Sequence, residues 1–473
     1  MNRRTFESDF VWGVATSAYQ IEGSLDAGGR GECVWDRFAK TPGNVSDGKD
    51  GRGACDHLRR WREDVDIMRG LGVRAYRFSI AWPRVRPAGR GVVRAEGLDF
   101  YDALVDGLLE AGIRPFVTLN HWDLPQALDD EGGWGARDTV SAFVDYADAV
   151  TRRLGDRVRD WTTHNEPWCI ATLGHESGEH APGRKDPREA LRVAHHLLLS
   201  HGLTVPVVRS NARGAAVGIV VNLVPGYAAS ASEADGEANR RFDGLFNRWY
   251  LDPLYRGSYP EDAVRDRIAD GHLAGPELPF VKHGDMAAIA TPTDYLGVNY
   301  YSRGIIRSDR VPEEQNLPRA IPVAPRERQT DMGWEVYPDG LRAILTRVHA
   351  DYHPPRIYVT ENGAAFASAP DAAAGGRVQD VQRVEFLRGH LGAVADAIEE
   401  GVPVLGYFLW SLLDNFEWQF GYTKRFGIVW VDFATQERVL KDSAAFYRNV
   451  IATGTVAASP QPSAGPAGAT SAA

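Results

Sequence analysis

Eight apolar, β-rich segments alternate with amphipathic helical segments along this chain, and this alternation limits the folds open to it. The β-rich segments span residues 10–16, 75–80, 114–120, 160–165, 217–223, 294–300, 356–361 and 404–410. Apolar side chains recur at helical spacing over residues 56–70, 96–112, 138–154 and 187–211. Strands that alternate with helices form a parallel sheet covered by helices. Eight such strands favour a sheet closed into a barrel, because closure leaves no exposed edge.

Three segments depart from this alternation. Residues 225–292 are long for a connection and are predicted to carry helices of their own, while residues 307–332, rich in proline and charge, predict a long surface loop. Residues 452–473 consist mainly of Ala, Ser, Pro and Gly and have too little apolar bulk to offset the entropy of ordering. We therefore predict a single (β/α)₈ TIM barrel of the α/β class with long βα loops, a catalytic barrel over residues 1–451 and a disordered tail over 452–473.

Charge and cysteine content narrow the partners and the compartment. The formal net charge of −10 argues against nucleic acid, because an acidic protein gains nothing from releasing phosphate counterions. No apolar run approaches the roughly 18–20 residues of a membrane span, and no apolar segment of a secretory signal precedes Glu7 and Asp9. Cys33, Cys55 and Cys169 form neither an even set nor a CxxC pair, which predicts reduced thiols and a cytoplasmic location.

Two glutamate-centred motifs close the fourth and seventh predicted strands. Thr163-His164-Asn165-Glu166-Pro167 ends the fourth, and Thr360-Glu361-Asn362-Gly363 ends the seventh. The C-terminal ends of barrel strands converge on one face, so Glu166 and Glu361 can face each other there.

Facing glutamates suit the cleavage of a glycosidic bond with retention. That reaction needs two carboxyl groups about 5–5.5 Å apart, one protonated and one ionised. Glu166 is the candidate acid/base, its pKa raised by burial and by the facing carboxylate, and Glu361 is the candidate nucleophile. A lone motif of this kind more often marks a surface or salt-bridged glutamate, but two at strand ends favour a catalytic pair.

Five further segments carry a resemblance to a known family. They are residues 10–23 (FVWGVATSAYQIEG), 76–84 (YRFSIAWPR), 120–125 (NHWDLP), 299–302 (NYYS) and 410–418 (WSLLDNFEW). With the two glutamate motifs, they make the chain resemble family 1 of the glycoside hydrolases, the β-glucosidase family, from residue 10 to about residue 450. The order and number of the motifs make a chance match implausible.

The resemblance implies a role for each matching residue. Gln20, His121 and Trp418 are expected to hydrogen-bond hydroxyls of the non-reducing sugar, and Asn165 to hold its 2-hydroxyl. Arg77 and Tyr301 are expected to flank Glu361, with Asn299 supporting the same cluster. The remaining expected sugar contacts are Glu417 at the 4- and 6-hydroxyls, Trp410 beneath the reacting ring and Trp334 on the aglycone side.

The resemblance also implies the reaction and the substrate class. We expect a retaining β-glucosidase, an O-glycosyl hydrolase that acts on terminal β-D-glucosyl residues and also accepts β-galactosides and β-fucosides. A carboxylate at Glu417 disfavours 6-phosphosugars through charge repulsion, and Glu166 replaces the glutamine of the thioglucosidase branch. A transglycosylase or a catalytically silent sugar-binding protein on the same barrel are the alternatives; the two retained glutamates speak against the second.

Cofactor and metal motifs are weak in this sequence. Residues 43–49 resemble a P-loop, but Asp50 stands where Ser or Thr must bind magnesium. His175, Glu176 and His180 lack the spacing of a zinc motif, and no glycine-rich dinucleotide motif follows a predicted strand. We therefore expect no metal and no cofactor, and a small-molecule β-glucoside or oligosaccharide as the partner.

Overall fold

A closed parallel barrel of eight strands, here β1–β8, forms the centre of the computed structural model, which describes residues 3–309 and 324–457. The strands are β1 (Val11–Ala15), β2 (Ala75–Ser79), β3 (Arg114–Asn120), β4 (Asp160–Asn165), β5 (Ala216–Asn222), β6 (Tyr295–Asn299), β7 (Ile357–Asn362) and β8 (Val404–Trp410). Each strand pairs with its neighbours in sequence, and β8 pairs with β1 to close the barrel. The predicted (β/α)₈ barrel is confirmed, and every strand end lies within one residue of its prediction.

Helices follow the strands and pack outside the barrel. The four predicted in the first half are His57–Leu71, Ala95–Glu110, Asp138–Leu154 and Pro187–Asn211. Asp186 caps the start of the last of these helices, because its side chain accepts hydrogen bonds from two backbone amides of the first turn. Pro187 is the first helical residue. The second half has Pro338–Tyr352, Val381–Glu399 and Asp442–Thr453.

Loops at the C-terminal ends of the strands hold most of the shorter elements. The long 225–292 connection carries its own helices, as predicted: Glu233–Asp243, Gly244–Arg248, Trp249–Arg256, Glu261–Ala269 and Asp285–Ile289. Other short helices are Ala18–Ile21, Val34–Lys40, Trp82–Val85, Gln126–Asp129 and Cys169–Ser177. Within the predicted 307–332 loop, residues 310–323 lie outside the described residues.

Aromatic side chains fill the N-terminal half of the barrel. The ring of Phe116 on β3 lies 4.7 Å from that of Phe408 on β8 and 5.4 Å from that of Tyr358 on β7. These strands are not neighbours of β3, so the rings meet in the barrel interior. The ring of Tyr295 on β6 lies 5.3 Å from that of Tyr358. Because this end is packed, the open space of the barrel lies at the C-terminal ends of the strands.

The two ends of the described chain pair with each other. Strand Arg3–Thr5 is antiparallel to strand Thr455–Ala457, and Val456 is buried. Ordered structure therefore continues to residue 457, six residues beyond the predicted boundary at 451, because backbone pairing supplies the stabilisation that the side chains lack. The rest of the predicted tail, 458–473, lies outside the described residues. Over the parts of the chain that are described, no helix has the length and apolar character needed to cross a membrane.

Candidate active site

The ends of β4 and β7 bring Glu166 and Glu361 to one cavity of about 630 Å³. Both are buried. Glu166 directly follows β4, and its backbone φ of +48° is unusual for a residue other than glycine. Its amide donates to the carbonyl of Val220 on β5 at 2.9 Å. The backbone thus turns the Glu166 side chain from the strand end into the cavity.

Glu361 has a strong donor at each carboxylate oxygen. Arg77 Nη1 donates to Oε1 at 2.6 Å, and the Tyr301 hydroxyl donates to Oε2 at 2.7 Å. Burial and the Glu361 carboxyl raise the pKa of Tyr301 well above its ordinary value, so the phenol keeps the proton that it donates. A buried carboxylate with a cation and a phenol donor is stabilised in its ionised, nucleophilic form.

Glu166 lies in a different environment in the same cavity. Burial, followed by the nearby Glu361 carboxylate, raises the pKa of Glu166 to about 8. Hydrogen bonds from Asn299 and Cys169 and the charge of Arg77 oppose this shift only in part. Glu166 is therefore protonated at neutral pH, whereas the donors at Glu361 favour its carboxylate, and acid-assisted attack at a sugar requires this contrast between two carboxyl groups.

Polar side chains behind the two glutamates fix each other's orientation. Arg77 Nη2 can only donate, so Asn165 must present Oδ1 to it, at 2.6 Å. Asn299 Nδ2 donates to the same Oδ1 at 3.1 Å, and Thr360 donates to Asn299 Oδ1 at 2.7 Å. This network connects β2, β4, β6 and β7, so the positions of both glutamates depend on the barrel itself rather than on a loop.

His121 is a neutral ring with one nitrogen that is buried and unpaired in the described part of the chain. Burial, with Arg77 nearby, lowers the pKa of His121 well below its ordinary value, so the ring is neutral. Asn165 Nδ2 lies 3.2 Å from Nε2, which must then accept. The proton sits on Nδ1, which has no partner among the described residues. This nitrogen is buried, so the His121 ring contributes to the cavity wall by its other atoms.

Aromatic rings and a third glutamate form the deep end of the cavity. The His121 ring is nearly parallel to those of Trp410 and Trp418, at 5.9 and 6.1 Å. Burial, then the charges of Glu361 and Glu166, raise the pKa of Glu417 to about 8. Glu417 is therefore largely protonated at neutral pH and can donate as well as accept.

Gln20 lies behind this end rather than on the cavity wall. It is fully buried, and its amide nitrogen donates to Phe416 O at 2.9 Å and to Glu417 Oε2 at 3.4 Å. Its carbonyl oxygen accepts from the Ser17 hydroxyl at 2.6 Å. In this structure Gln20 holds Glu417 and the chain around it in place.

The outer half of the cavity is more apolar. The Trp334 ring lies 5.4 Å from that of Tyr301, and the Trp168 ring lies 4.2 Å from that of Phe246. Arg303 and Glu335 form an ion pair at 2.8 Å on the same wall.

Nine of the twelve residues singled out from the sequence line the cavity, and three lie directly behind it. Gln20, Arg77 and Asn165 are the three in the second layer. Among the lining residues that sequence reasoning missed are Trp122, Trp168, Cys169 and Phe246. Trp122, Trp168 and Cys169 lie within or beside motifs already identified, so proximity to a catalytic motif was the available clue. Phe246 comes from the long insertion and has no sequence signature.

Metal ligation finds no support among the described residues, since no group of three or more His, Cys, Asp or Glu side chains there is placed to hold an ion.

A barrel with two buried carboxyl groups at its C-terminal end, one protonated and one ionised, has the catalytic arrangement of the glycoside hydrolases. The chain matches the model of glycosyl hydrolase family 1 over residues 2–455. It therefore belongs to glycosyl hydrolase family 1.

Relatives of known activity align over nearly the whole chain. The chain is 46% identical to beta-glucosidase A of Thermotoga maritima, an alignment that covers 95% of this chain and 98% of that protein. It is 45% identical to a bifunctional beta-D-glucosidase/beta-D-fucosidase of Bifidobacterium breve, over 94% of this chain and 98% of that one. The solved structure of the family 1 β-glucosidase from Thermotoga maritima matches with a TM-score of 0.89 at 45% identity, covering 96% and 100% of the two chains.

Proposed function

We propose that this enzyme is a retaining β-glucosidase in which Glu361 is the nucleophile and Glu166 the acid/base. The observation that carries the proposal is the contrast between the two glutamates. Glu361 accepts from Arg77 and Tyr301, whereas burial and a neighbouring carboxylate keep Glu166 protonated.

The reaction follows from these two protonation states. Glu361 attacks the anomeric carbon while Glu166 delivers its proton to the departing glycosidic oxygen, which leaves a glycosyl–Glu361 ester and an ionised Glu166. Glu166 then takes a proton from water, which attacks the same carbon and releases the sugar with its original configuration. Neutralisation of Glu361 in the first step removes the charge that held Glu166 protonated, so the acid becomes a base when it is needed.

Recognition of the glycone is assigned to the deep end of the cavity. We assign the 4- and 6-hydroxyls to Glu417, the platform beneath the ring to Trp410, and further hydroxyl contacts to the His121 ring and the Trp418 indole. Asn165 lies behind the cavity and acts on the 2-hydroxyl end of the site through His121 and Asn299, which it contacts. Gln20 acts on this set through Glu417, which it contacts.

An unphosphorylated sugar fits this pocket. Because Glu417 is largely protonated at neutral pH, it repels a phosphate group less than the sequence suggested. Two other features disfavour a 6-phosphosugar. Glu361 is a buried carboxyl nearby, and no cation is among the hydrogen-bond partners of Glu417 in the described residues. Acceptance of β-fucosides and β-galactosides is proposed by analogy with the bifunctional relative.

The natural substrates we propose are short β-glucosyl oligosaccharides, including those from cellulose, and aryl or alkyl β-glucosides. The apolar outer wall with Trp168, Phe246 and Trp334 supports binding of flat or apolar aglycones. We propose that the enzyme acts in the cytoplasm, in keeping with three buried cysteines that form no disulfide.

Initial rates on nitrophenyl β-glucoside, β-galactoside and β-fucoside test the proposal, with the product configuration followed by NMR. We expect turnover with the β-glucoside fastest or close to it, and the β-anomer as the first product. A folded protein inactive on all three substrates, or release of the α-anomer, would refute the assignment.

A further inference from the structure

Glu166 has two carboxyl oxygens with donors of different kinds. Oε1 accepts from Asn299 Nδ2 at 2.7 Å, and Oε2 accepts from the thiol of Cys169 at 3.3 Å. Cys169 is buried three residues after Glu166, in the short helix Cys169–Ser177, and it lines the same cavity. Its backbone amide donates to the Glu166 carbonyl at 3.0 Å, which fixes the thiol beside the carboxyl.

The donor at Oε1 is permanent. Arg77 fixes the orientation of Asn165, Thr360 donates to Asn299 Oδ1, and Asn299 is left with its nitrogen toward Glu166. An amide nitrogen cannot accept a hydrogen bond. A proton on Oε1 directed along this contact would face another donor, so the acid proton is excluded from that side.

The contact at Oε2 is reversible. A thiol is a weak donor and a weak acceptor, and its hydrogen can rotate. Asn222 Nδ2 lies 3.8 Å from Sγ and supplies hydrogen to the sulfur. When Glu166 is ionised, the thiol can donate to Oε2; when Oε2 carries the proton, the thiol can turn away at little cost.

We propose that Cys169 is a positioning residue that stabilises the Glu166 carboxylate by donating to Oε2, the oxygen that Asn299 leaves free to carry the acid proton. The inference rests on the proposed function. In the first step the Oε2–H bond breaks as the proton passes to the glycosidic oxygen, and the thiol donates to the new carboxylate. In the second step Oε2 accepts a proton from water, and the thiol withdraws.

Other groups around Glu166 set the background for this effect. The charged and titratable side chains that face it across the cavity are Glu361, Arg77, Tyr301, Glu417, His121 and His180. None of them contacts the Cys169 thiol by hydrogen bond among the described residues, so removal of the thiol leaves their own contacts in place. The thiol itself is held neutral, because burial raises the pKa of Cys169 well above its ordinary value.

The test is the pH profile of kcat/KM for cellobiose with Cys169→Ala and Cys169→Ser. Loss of the donor destabilises the carboxylate, so Cys169→Ala should move the alkaline limb up by about 0.5 pH unit or more, with the acid limb unchanged. Cys169→Ser keeps a donor and should hold the limb at or below its wild-type position. Cys33→Ser, at a buried thiol outside the cavity, is the matched control and should shift neither limb.

Two outcomes would overturn the inference: an unmoved alkaline limb in Cys169→Ala, or equal shifts in the Ala and Ser variants. Thermal unfolding of each variant shows whether it is folded, and the unchanged acid limb serves as an internal standard. Failure of the proposed function is a separate result, since it appears as inactivity of the wild-type enzyme on β-glucosides.

Discussion

Glu166 and Glu361 are identical side chains in one cavity, and their neighbours give them different chemistry. Arg77 and Tyr301 hold Glu361 as an anion, while burial and that anion keep a proton on Glu166. The division of roles therefore depends on which strand carries the cation, because β2 directs Arg77 to Glu361 and to Asn165, not to Glu166 itself.

Removal of the acid should affect substrates according to their leaving group. Glu166→Ala should lower kcat/KM for cellobiose by about 10²–10⁴-fold, because the departing alkoxide needs a proton. Dinitrophenyl β-glucoside, whose phenolate leaves unaided, should lose far less in the first step. Rates on a series of aryl and alkyl glucosides measure this difference as a slope against leaving-group pKa. Glu179→Ala, at the cavity rim, is the control and should leave the slope unchanged; equal loss on all substrates in Glu166→Ala would assign the acid elsewhere.

Asp123 gives the fold a pH-dependent stability. It is 1% exposed, neither carboxyl oxygen meets a donor from another described residue, and burial, only partly offset by Arg30, raises the pKa to about 7. The unfolded chain binds this proton only below about pH 4. Between these values the folded state holds the extra proton, so wild-type stability falls as pH rises from about 4 to 7.

Asp123→Asn removes that dependence. From pH 4 to pH 8, the unfolding free energy of the variant should rise relative to that of the wild type by roughly 2–4 kcal/mol. Urea unfolding of both proteins at each pH measures this difference. Asp66→Asn, at an exposed aspartate on the helix His57–Leu71, should show no such gain. A constant difference between Asp123→Asn and the wild type across this range would mean that Asp123 is ionised throughout.

At the scale of elements, sequence periodicity predicted all eight strands to within a residue, but it was less informative about the loops that connect them. Barrel strands are buried on both faces, so their apolar runs have sharp ends. The 225–292 insertion carries ion pairs between residues distant in sequence, such as Arg240 with Asp266 and Arg347 with Asp243. Periodicity predicts that such a segment is helical but not which cavity wall Phe246 joins.

The loop after β8 offers a test at this scale. Asp414 accepts from Lys441 at 2.8 Å and from Arg425 at 2.7 Å, and Lys441 is buried. Asp414→Ala leaves the buried Lys441 ammonium without its carboxylate partner and should lower the unfolding free energy by about 3–5 kcal/mol at pH 7. Burial lowers the pKa of Lys441 to about 8, so the cost should shrink at pH 9, where the amine is neutral.

Denaturant unfolding of Asp414→Ala at pH 7 and pH 9 measures both effects. Because the loop carries Glu417 and Trp418 and begins directly after Trp410, we also expect a raised KM for β-glucosides at temperatures where the variant is folded. Glu400→Ala, which breaks an exposed pair with Arg342, should leave the unfolding temperature close to wild type. An Asp414→Ala variant as stable as wild type would show that the pair does not hold the loop.

At the scale of the whole molecule, the two described ends of the chain pair with each other, and amino-acid composition does not predict this contact. Arg3–Thr5 pairs with Thr455–Ala457, the Phe6 amide donates to Gly454 O at 2.9 Å, and Arg4 donates to Asp396 in the helix Val381–Glu399 at 2.8 Å.

A chain ending at residue 457 should match the 473-residue enzyme in stability and kcat/KM, as the predicted disorder of 458–473 requires. A chain ending at residue 454 loses the pairing and the buried Val456, and should unfold with about 2–4 kcal/mol less free energy. Its activity at low temperature should be retained, because the strand pair lies outside the cavity lining. Equal unfolding free energies for the two truncated chains would show that the strand pair does not stabilise the fold. A loss of stability in the chain ending at 457 would show that residues 458–473 contribute to the stability of the barrel.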